Sequence, residues 1–253
     1  VGNHTAVNLG FHGADMCTIA PVTSSLLIPQ LTDIGADLVI IELALNDDWL
    51  KESEGGALKL AKCTEAVVRQ VLQSDGDVAV IFLDIISGRA PVSDRDEILK
   101  QVATARESDA LTSCNASSSW PPLFGAADVH HRVACVYGLG HLCMVTALAA
   151  ELSDATMPGL DECVKHKTYG DDESCGLFSG VHLADFAHET AASLAFYALT
   201  RTTTSAVVAR PFPPSPIFMS EAELLADFAA VFVSDNDYLI DEVVIAQCPP
   251  NVK

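Results

Sequence analysis

The sequence predicts an α/β fold, a doubly wound three-layer α/β/α arrangement around a parallel sheet, on three observations. Apolar runs alternate with amphipathic helical stretches along the first half of the chain. The two strongest runs, DLVIIELAL (37–45) and DVAVIFLDII (77–86), are continuous aliphatic tracts without polar alternation. That is the pattern of strands covered by helices on both faces. Between them, GALKLAKCTEAVVRQVLQ (56–73) repeats its apolar residues at helical spacing, as the crossover between two parallel strands requires.

In order, TAVNLG (5–10) reads as a short strand, SSLLIPQLTDIG (24–35) as a helical stretch, and then come the strand, helix and strand just described. A polar helix is expected near Asp94 to Ser108, followed by the loop SCNASSSWPPLFG (113–125), a long helix from Ala126 to about Tyr137, and a short apolar segment HLCMVTALA (141–149). A second long helix is expected from near Leu183 to about Leu199. The segment RPFPPSPIF (210–218) breaks this rhythm: its prolines forbid helix and leave extended polyproline II, so 210–216 reads either as a linker or as an ordinary surface connection. Beyond it, SEAELLADFAAVF (220–232) is a helix with Ser220 and Glu223 placed as a capping box, and YLIDEVVIAQC (238–248) is a strand. The expected organisation is one domain over 1–209, a proline-rich linker over 210–216 and a helix–strand extension over 217–253.

The 253 residues, 49% hydrophobic and 19% charged, suffice for one sizeable core. With 14 Lys and Arg against 34 Asp and Glu, the net charge of −20 repels phosphate backbones and anionic membrane surfaces, so nucleic acid is excluded as a partner. No apolar run reaches the ~18 residues of a membrane span. Eight cysteines with no CxxC spacing favour disulfides in an oxidising compartment, and sequons at Asn3 and Asn115 agree with secretion and N-glycosylation. A trimmed secretory chain would show no signal peptide, as here. The loop between Cys163 and Cys175 is polar and too weakly apolar to pack itself, so these two are expected to pair.

The first long apolar run ends in Asn46, Asp47 and Asp48. In open parallel sheets, side chains at the carboxyl ends of strands emerge into the reactive crevice. A neutral Asn there can donate its amide to a developing oxyanion; the bland reading is that it caps a turn. His130-His131 could suggest a metal, but adjacent helical residues point ~100° apart and neither has an acidic or histidine partner at i+4. Surface or helix-packing histidines are expected instead, and no metal. No Gly-rich phosphate loop follows a strand, so no nucleotide and no other cofactor is expected.

The order of short motifs resembles the SGNH (GDSL-type) hydrolases. NLGFHGAD looks like the block whose glycine N–H faces the oxyanion, which puts Gly13 in that role. ELALND looks like the Gly-x-Asn-Asp block, with Ala44 in place of the glycine and Asn46 kept. SGVHLADFAHETAASLA looks like the C-terminal block: His182 matches the base and His188 the second histidine, and HHRVACVYGL is similar to the helix that precedes that block in many members. The resemblance covers about Asn8 to Leu199 and implies a flavodoxin-like sheet with Gly13 and Asn46 as oxyanion donors beside His182.

Two departures bear on activity. The Gly-Asp-Ser block that carries the nucleophile is absent from these residues, and Ser179 stands at the acid position of Asp-x-x-His. Asp171, Asp172 or Asp185 would have to replace that acid. The sequence therefore leads to two expectations. One is a catalytically incomplete SGNH-type domain, a structural or binding glycoprotein with protein or glycan partners in an extracellular assembly. The other is a carbohydrate or lipid O-acyl esterase whose serine lies upstream of Val1.

Overall fold

The computed structural model describes residues 5–10, 13–52, 54–74, 78–85, 126–144, 178–179, 182–183, 188–189, 191–196, 213–218, 220 and 244–247. Three strands form the parallel sheet: β2 (Leu38–Ile41), β3 (Ala79–Asp84) and β4 (Gly140–Cys143), in spatial order β2-β3-β4. Ile41 lies beside Phe82, and Asp84 beside Cys143. The crossovers contain α4 (Gly56–Ser74) and α5 (Ala127–Tyr137). The predicted strand–helix–strand order is thus found, and it makes the protein α/β.

Helix α4 buries Leu60, Ala61, Thr64, Val67, Val68 and Val71, at i, i+1, i+4, i+7, i+8 and i+11, the spacing of one helical face. Helix α5 buries Ala127, Val129, Val133, Ala134 and Tyr137. Both join one hydrophobic cluster with Ile41, Val80 and Phe82 of the sheet and with Met16 and Ile19. Burial along β3 alternates, Val80, Phe82 and Asp84 inward, with Ala79 exposed and Ile81 and Leu83 half-buried. Ile40 on β2 is 45% exposed. Among the described residues the second face of the sheet is therefore more open than continuous aliphatic tracts led us to expect.

The segment before β2 is a broken helix. Short α1 (Met16–Ile19) passes through a tight 3-10 turn at Ala20–Val22 and a wide π-type turn at Thr23–Leu27 into α2 (Ile28–Ile34). Pro21 and Pro29, each lacking an N–H, fall at the junctions and account for the change of pitch. Gly35, at φ 61°, ends α2 in the left-handed conformation that a Cβ would strain. A Cys17–Cys63 disulfide ties α1 to α4; it was not singled out in the sequence. Cys135 is also disulfide-bonded.

Three strand expectations change. The first strand, β1 (Thr5–Asn8), pairs antiparallel with β7 (Val244–Gln247) in a separate two-stranded sheet instead of joining the parallel one. Strand β2 stops at Ile41, and α3 (Ala44–Glu52) begins inside the apolar run, so Asn46, Asp47 and Asp48 stand in the first turns of a helix. His182 and Leu183 form β6, paired with β5 (Phe178–Ser179), so the C-terminal helix does not start at Leu183; residues 191–196 are helical. The expected helices over 94–108 and 220–232 and the loop 113–125 lie outside the described residues, Ser220 apart.

Candidate functional site

Helix α3 explains why polar residues follow an apolar strand: several of its side chains reach different elements. Asn46 Nδ2 donates to the Ala14 carbonyl at 2.8 Å. Asp47 Oδ1 accepts the Met16 N–H at 2.7 Å. Asp48 Oδ1 accepts the Ala126 N–H at 2.6 Å, at the start of α5. Lys51 pairs with Asp128 of α5 at 2.6 Å.

Asn46 and Asp47 thus hold the 13–16 segment from two sides. Within it, Asp15 caps α1 through the Thr18 N–H (2.7 Å), and Gly13 has φ 66° with open space where a Cβ would stand. Two of the predicted site residues, Gly13 and Asn46, are therefore brought to one corner although 33 positions separate them, 46 minus 13. An amide NH2 has two hydrogens. One goes to Ala14; the other bonds nothing among the described residues.

Behind this corner lies a buried ionic cluster. His130, fully buried on α5, places Nδ1 2.8 Å from Asp84 Oδ1 and Nε2 3.0 Å from Asp47 Oδ2. The second contact is an ion pair whose geometry falls outside that of a hydrogen bond. A carboxylate accepts, so the short contact with Asp84 has His130 Nδ1–H donating where Asp84 is ionised. Burial pushes the His130 pKa down, but Asp84 and Asp47 outweigh it and hold it well above the ordinary value. Phe82 stacks on the ring at 5.2 Å.

Asp84 ends β3 and bonds a second imidazole, His141 Nε2, at 2.6 Å. Burial pushes Asp84 up, but His130 and His141 together hold it far below the carboxylate range. His141 Nδ1 meets His131 Nδ1 at 3.2 Å, so hydrogen bonds run from His130 through Asp84 and His141 to the half-buried His131, with Asp47 joined to His130 by the ion pair.

Glu42 is the residue after β2. The residue is exposed overall, yet its carboxyl has lost hydration. That lost hydration, then repulsion from Asp84 and Asp47, push its pKa up to about 7 against the pull of His130. The open side limits what this shift does to stability. Burial likewise raises Asp47 and Asp128, opposed by His130 and Lys51 respectively.

The expectation of surface or helix-packing histidines at 130 and 131 missed this arrangement. His130 is a core residue with two aspartate partners, and His131 joins His141 of β4. The sequence did hold a signal. Asp84 closes VIFLD as Asn46 and Asp47 close DLVIIELAL, so neighbouring parallel strands both lead into ionisable or amide groups at their carboxyl ends. Among the described residues no group of three or more His, Cys, Asp or Glu is arranged to hold a metal ion.

His182 and Ser179 are paired residues of the β5–β6 hairpin. His188 is exposed. Asn3, Asn115, Cys163, Cys175, Asp171, Asp172 and Asp185 lie outside the described residues. No described helix is long and apolar enough to cross a membrane. Comparison of the chain with protein-family models, with curated proteins and with solved structures finds no match.

Proposed function

We propose that the chain is a secreted SGNH hydrolase-type domain with an oxyanion-type corner at Gly13 and Asn46. These residues by themselves do not turn over acyl esters, and the domain serves as a structural or binding glycoprotein in an extracellular assembly. The observation that carries the reading is the 2.8 Å bond from Asn46 Nδ2 to the Ala14 carbonyl. It sets the amide of one motif beside the glycine of another, as two oxyanion donors must be set. The disulfide supports an oxidising compartment.

Turnover needs more. An acyl-enzyme requires an activated nucleophile, and residues 1–253 contain no Gly-Asp-Ser. A serine at the acid position, as the resemblance gives Ser179, has a hydroxyl that can orient an imidazole but cannot compensate the imidazolium; losing that charge costs about 10⁴ in rate in the serine-protease template. A second reading, an O-acyl esterase completed by a serine outside these residues, is favoured by the uncommitted hydrogen of the Asn46 amide.

Hydrolysis of p-nitrophenyl acetate and longer acyl esters by the purified chain tests both. No turnover above buffer is expected. Turnover by the chain alone that vanishes in His182→Ala contradicts the first reading. Turnover that appears only when a natural upstream segment is present, and drops about 10²–10³-fold in Asn46→Ala, establishes the second.

A further inference from the structure

The hydrogen bonds that leave Asp84 end in a pair of imidazoles, and the atoms that meet there restrict how many protons the pair can hold while it stays bonded. Both carboxylate oxygens of Asp84 are engaged, Oδ1 by His130 Nδ1 at 2.8 Å and Oδ2 by His141 Nε2 at 2.6 Å. Burial raises Asp84, yet His130 and His141 together hold it far below the carboxylate range, so it stays ionised and accepts from both rings. His141 Nε2 therefore carries a hydrogen. Its other nitrogen, Nδ1, lies 3.2 Å from Nδ1 of His131, with the ring centres 5.1 Å apart. Two ring nitrogens bond only through a single hydrogen between them.

That count separates three states. With both rings neutral, His141 Nδ1 keeps its lone pair and His131 Nδ1–H donates to it. One added proton still leaves one hydrogen between the nitrogens: a charged His131 donates to neutral His141, or a charged His141 donates to a His131 protonated at Nε2. Either bond is charge-assisted and stronger than the neutral one. A second proton puts a hydrogen on each Nδ1, so two donors and two like charges face each other across 3.2 Å with no acceptor between them.

Other ionisable groups surround the pair. His130 stands behind Asp84 and is itself paired with Asp47 of α3; Glu42 follows β2 at the same end of the sheet, and Cys143 of β4 lies beside Asp84. On α5, Arg132 follows His131, and Asp128, paired with Lys51 of α3, precedes it by one turn. Glu65 and Arg69 of α4 meet α5 at Tyr137, toward its other end. These charges shift the proton affinity of the pair as a whole, but they do not alter the count of hydrogens between its nitrogens.

We propose that His131 and His141 form a two-proton switch: the first proton tightens the side-chain link between α5 and β4, and the second opens it. The test is the protonation of each ring nitrogen, read from nitrogen-15 spectra of the oxidised full chain labelled at histidine, from about pH 8 to about pH 4.5, a range that brackets imidazole titration. Above the first step, His141 should carry its hydrogen on Nε2 and His131 on Nδ1. The pair should bind its second proton at least about tenfold more weakly than its first, as coupled sites do. The nuclear Overhauser contact between the rings should survive the first step and vanish in the second. In His131→Gln, whose amide donates or accepts as needed, His141 should titrate in a single step. A bare His141 Nε2, a His141 titration that His131→Gln leaves unchanged, or a ring contact that persists when both rings are fully protonated overturns the proposal. Should the variant fail to fold, the ring hydrogens and the two steps of the wild-type chain decide it.

Discussion

Helix α5 contributes to two buried charge clusters built on opposite plans, one with α3, β3 and β4 and the other with α4. Around His130 every charged group meets another ionisable side chain, Asp47, Asp84 and then His141. Around Glu65 and Arg69 the charged groups share the partner Tyr137 and also bond the backbone of residues 213–218. The first cluster responds to protons, because each charge depends on its neighbours' ionisation. The second responds to the presence of a segment, because backbone groups of that segment are among its hydrogen-bond partners.

The largest effect is expected from His130→Ala, which leaves Asp47 and Asp84 facing each other in the core without the cation between them. Removing one partner of a buried ion pair typically costs about 3–5 kcal/mol. Urea unfolding at neutral pH should show a loss of that size. Reducing the Cys17–Cys63 disulfide should come next or close to it. Its loop spans 46 positions, and chain entropy alone gives about 4 kcal/mol. Because that bond ties α1 to α4, reduction should also loosen the Gly13 corner, visible as faster amide exchange at Met16.

Glu65→Gln should cost less, about 2 kcal/mol, the scale of a hydrogen bond to a charged group, and its signature should be local. Cleavage by a protease within 213–218 should accelerate far more than cleavage elsewhere, whereas His130→Ala should raise susceptibility everywhere. Equal, global acceleration by both variants would erase the distinction between the two clusters.

The smallest effect belongs to Glu42→Gln and concerns pH. The Glu42 pKa is raised to about 7 from 4.5 in the folded chain, so its contribution to stability is full below 4.5 and is lost as pH rises through 7. The difference in stability between wild type and Glu42→Gln should therefore change across pH 4.5 to 7 and be flat outside that window. His130 runs in the same sense at higher pH: its raised pKa means stability present below 6.5 and lost as pH climbs through the folded value. Asp84, lowered, runs oppositely, losing stability as pH falls below 3.8 toward its folded value.

Elements with clean periodicity were legible in the sequence. Helix α4 follows the apolar spacing of 60, 64, 67, 68 and 71, and β3 follows its aliphatic run. The end of β2 was not, because Leu43 and Ala44 extend the apolar run through the turn where α3 begins. The location of a polar site after Ile41 was legible; its partners were not. His130 was judged by neighbours on its own helix, whereas Asp84 lies 46 positions away in sequence and belongs to β3. The clasp on residues 213–218 was illegible for a related reason: backbone N–H and carbonyl groups leave no signature in residue type, so proline-rich sequence reads the same whether it swings free or is held.

We propose that the Gly13–Asn46 corner lies beside His182, as the resemblance to SGNH hydrolases implies. The most direct measurement is the nuclear Overhauser contact between the Asn46 side-chain amide hydrogens and the His182 ring hydrogens in the native, oxidised chain. The account predicts that contact, alongside one from the same amide to the Ala14 backbone. A clear Asn46–Ala14 contact with the His182 ring found on the opposite face of the sheet would contradict it.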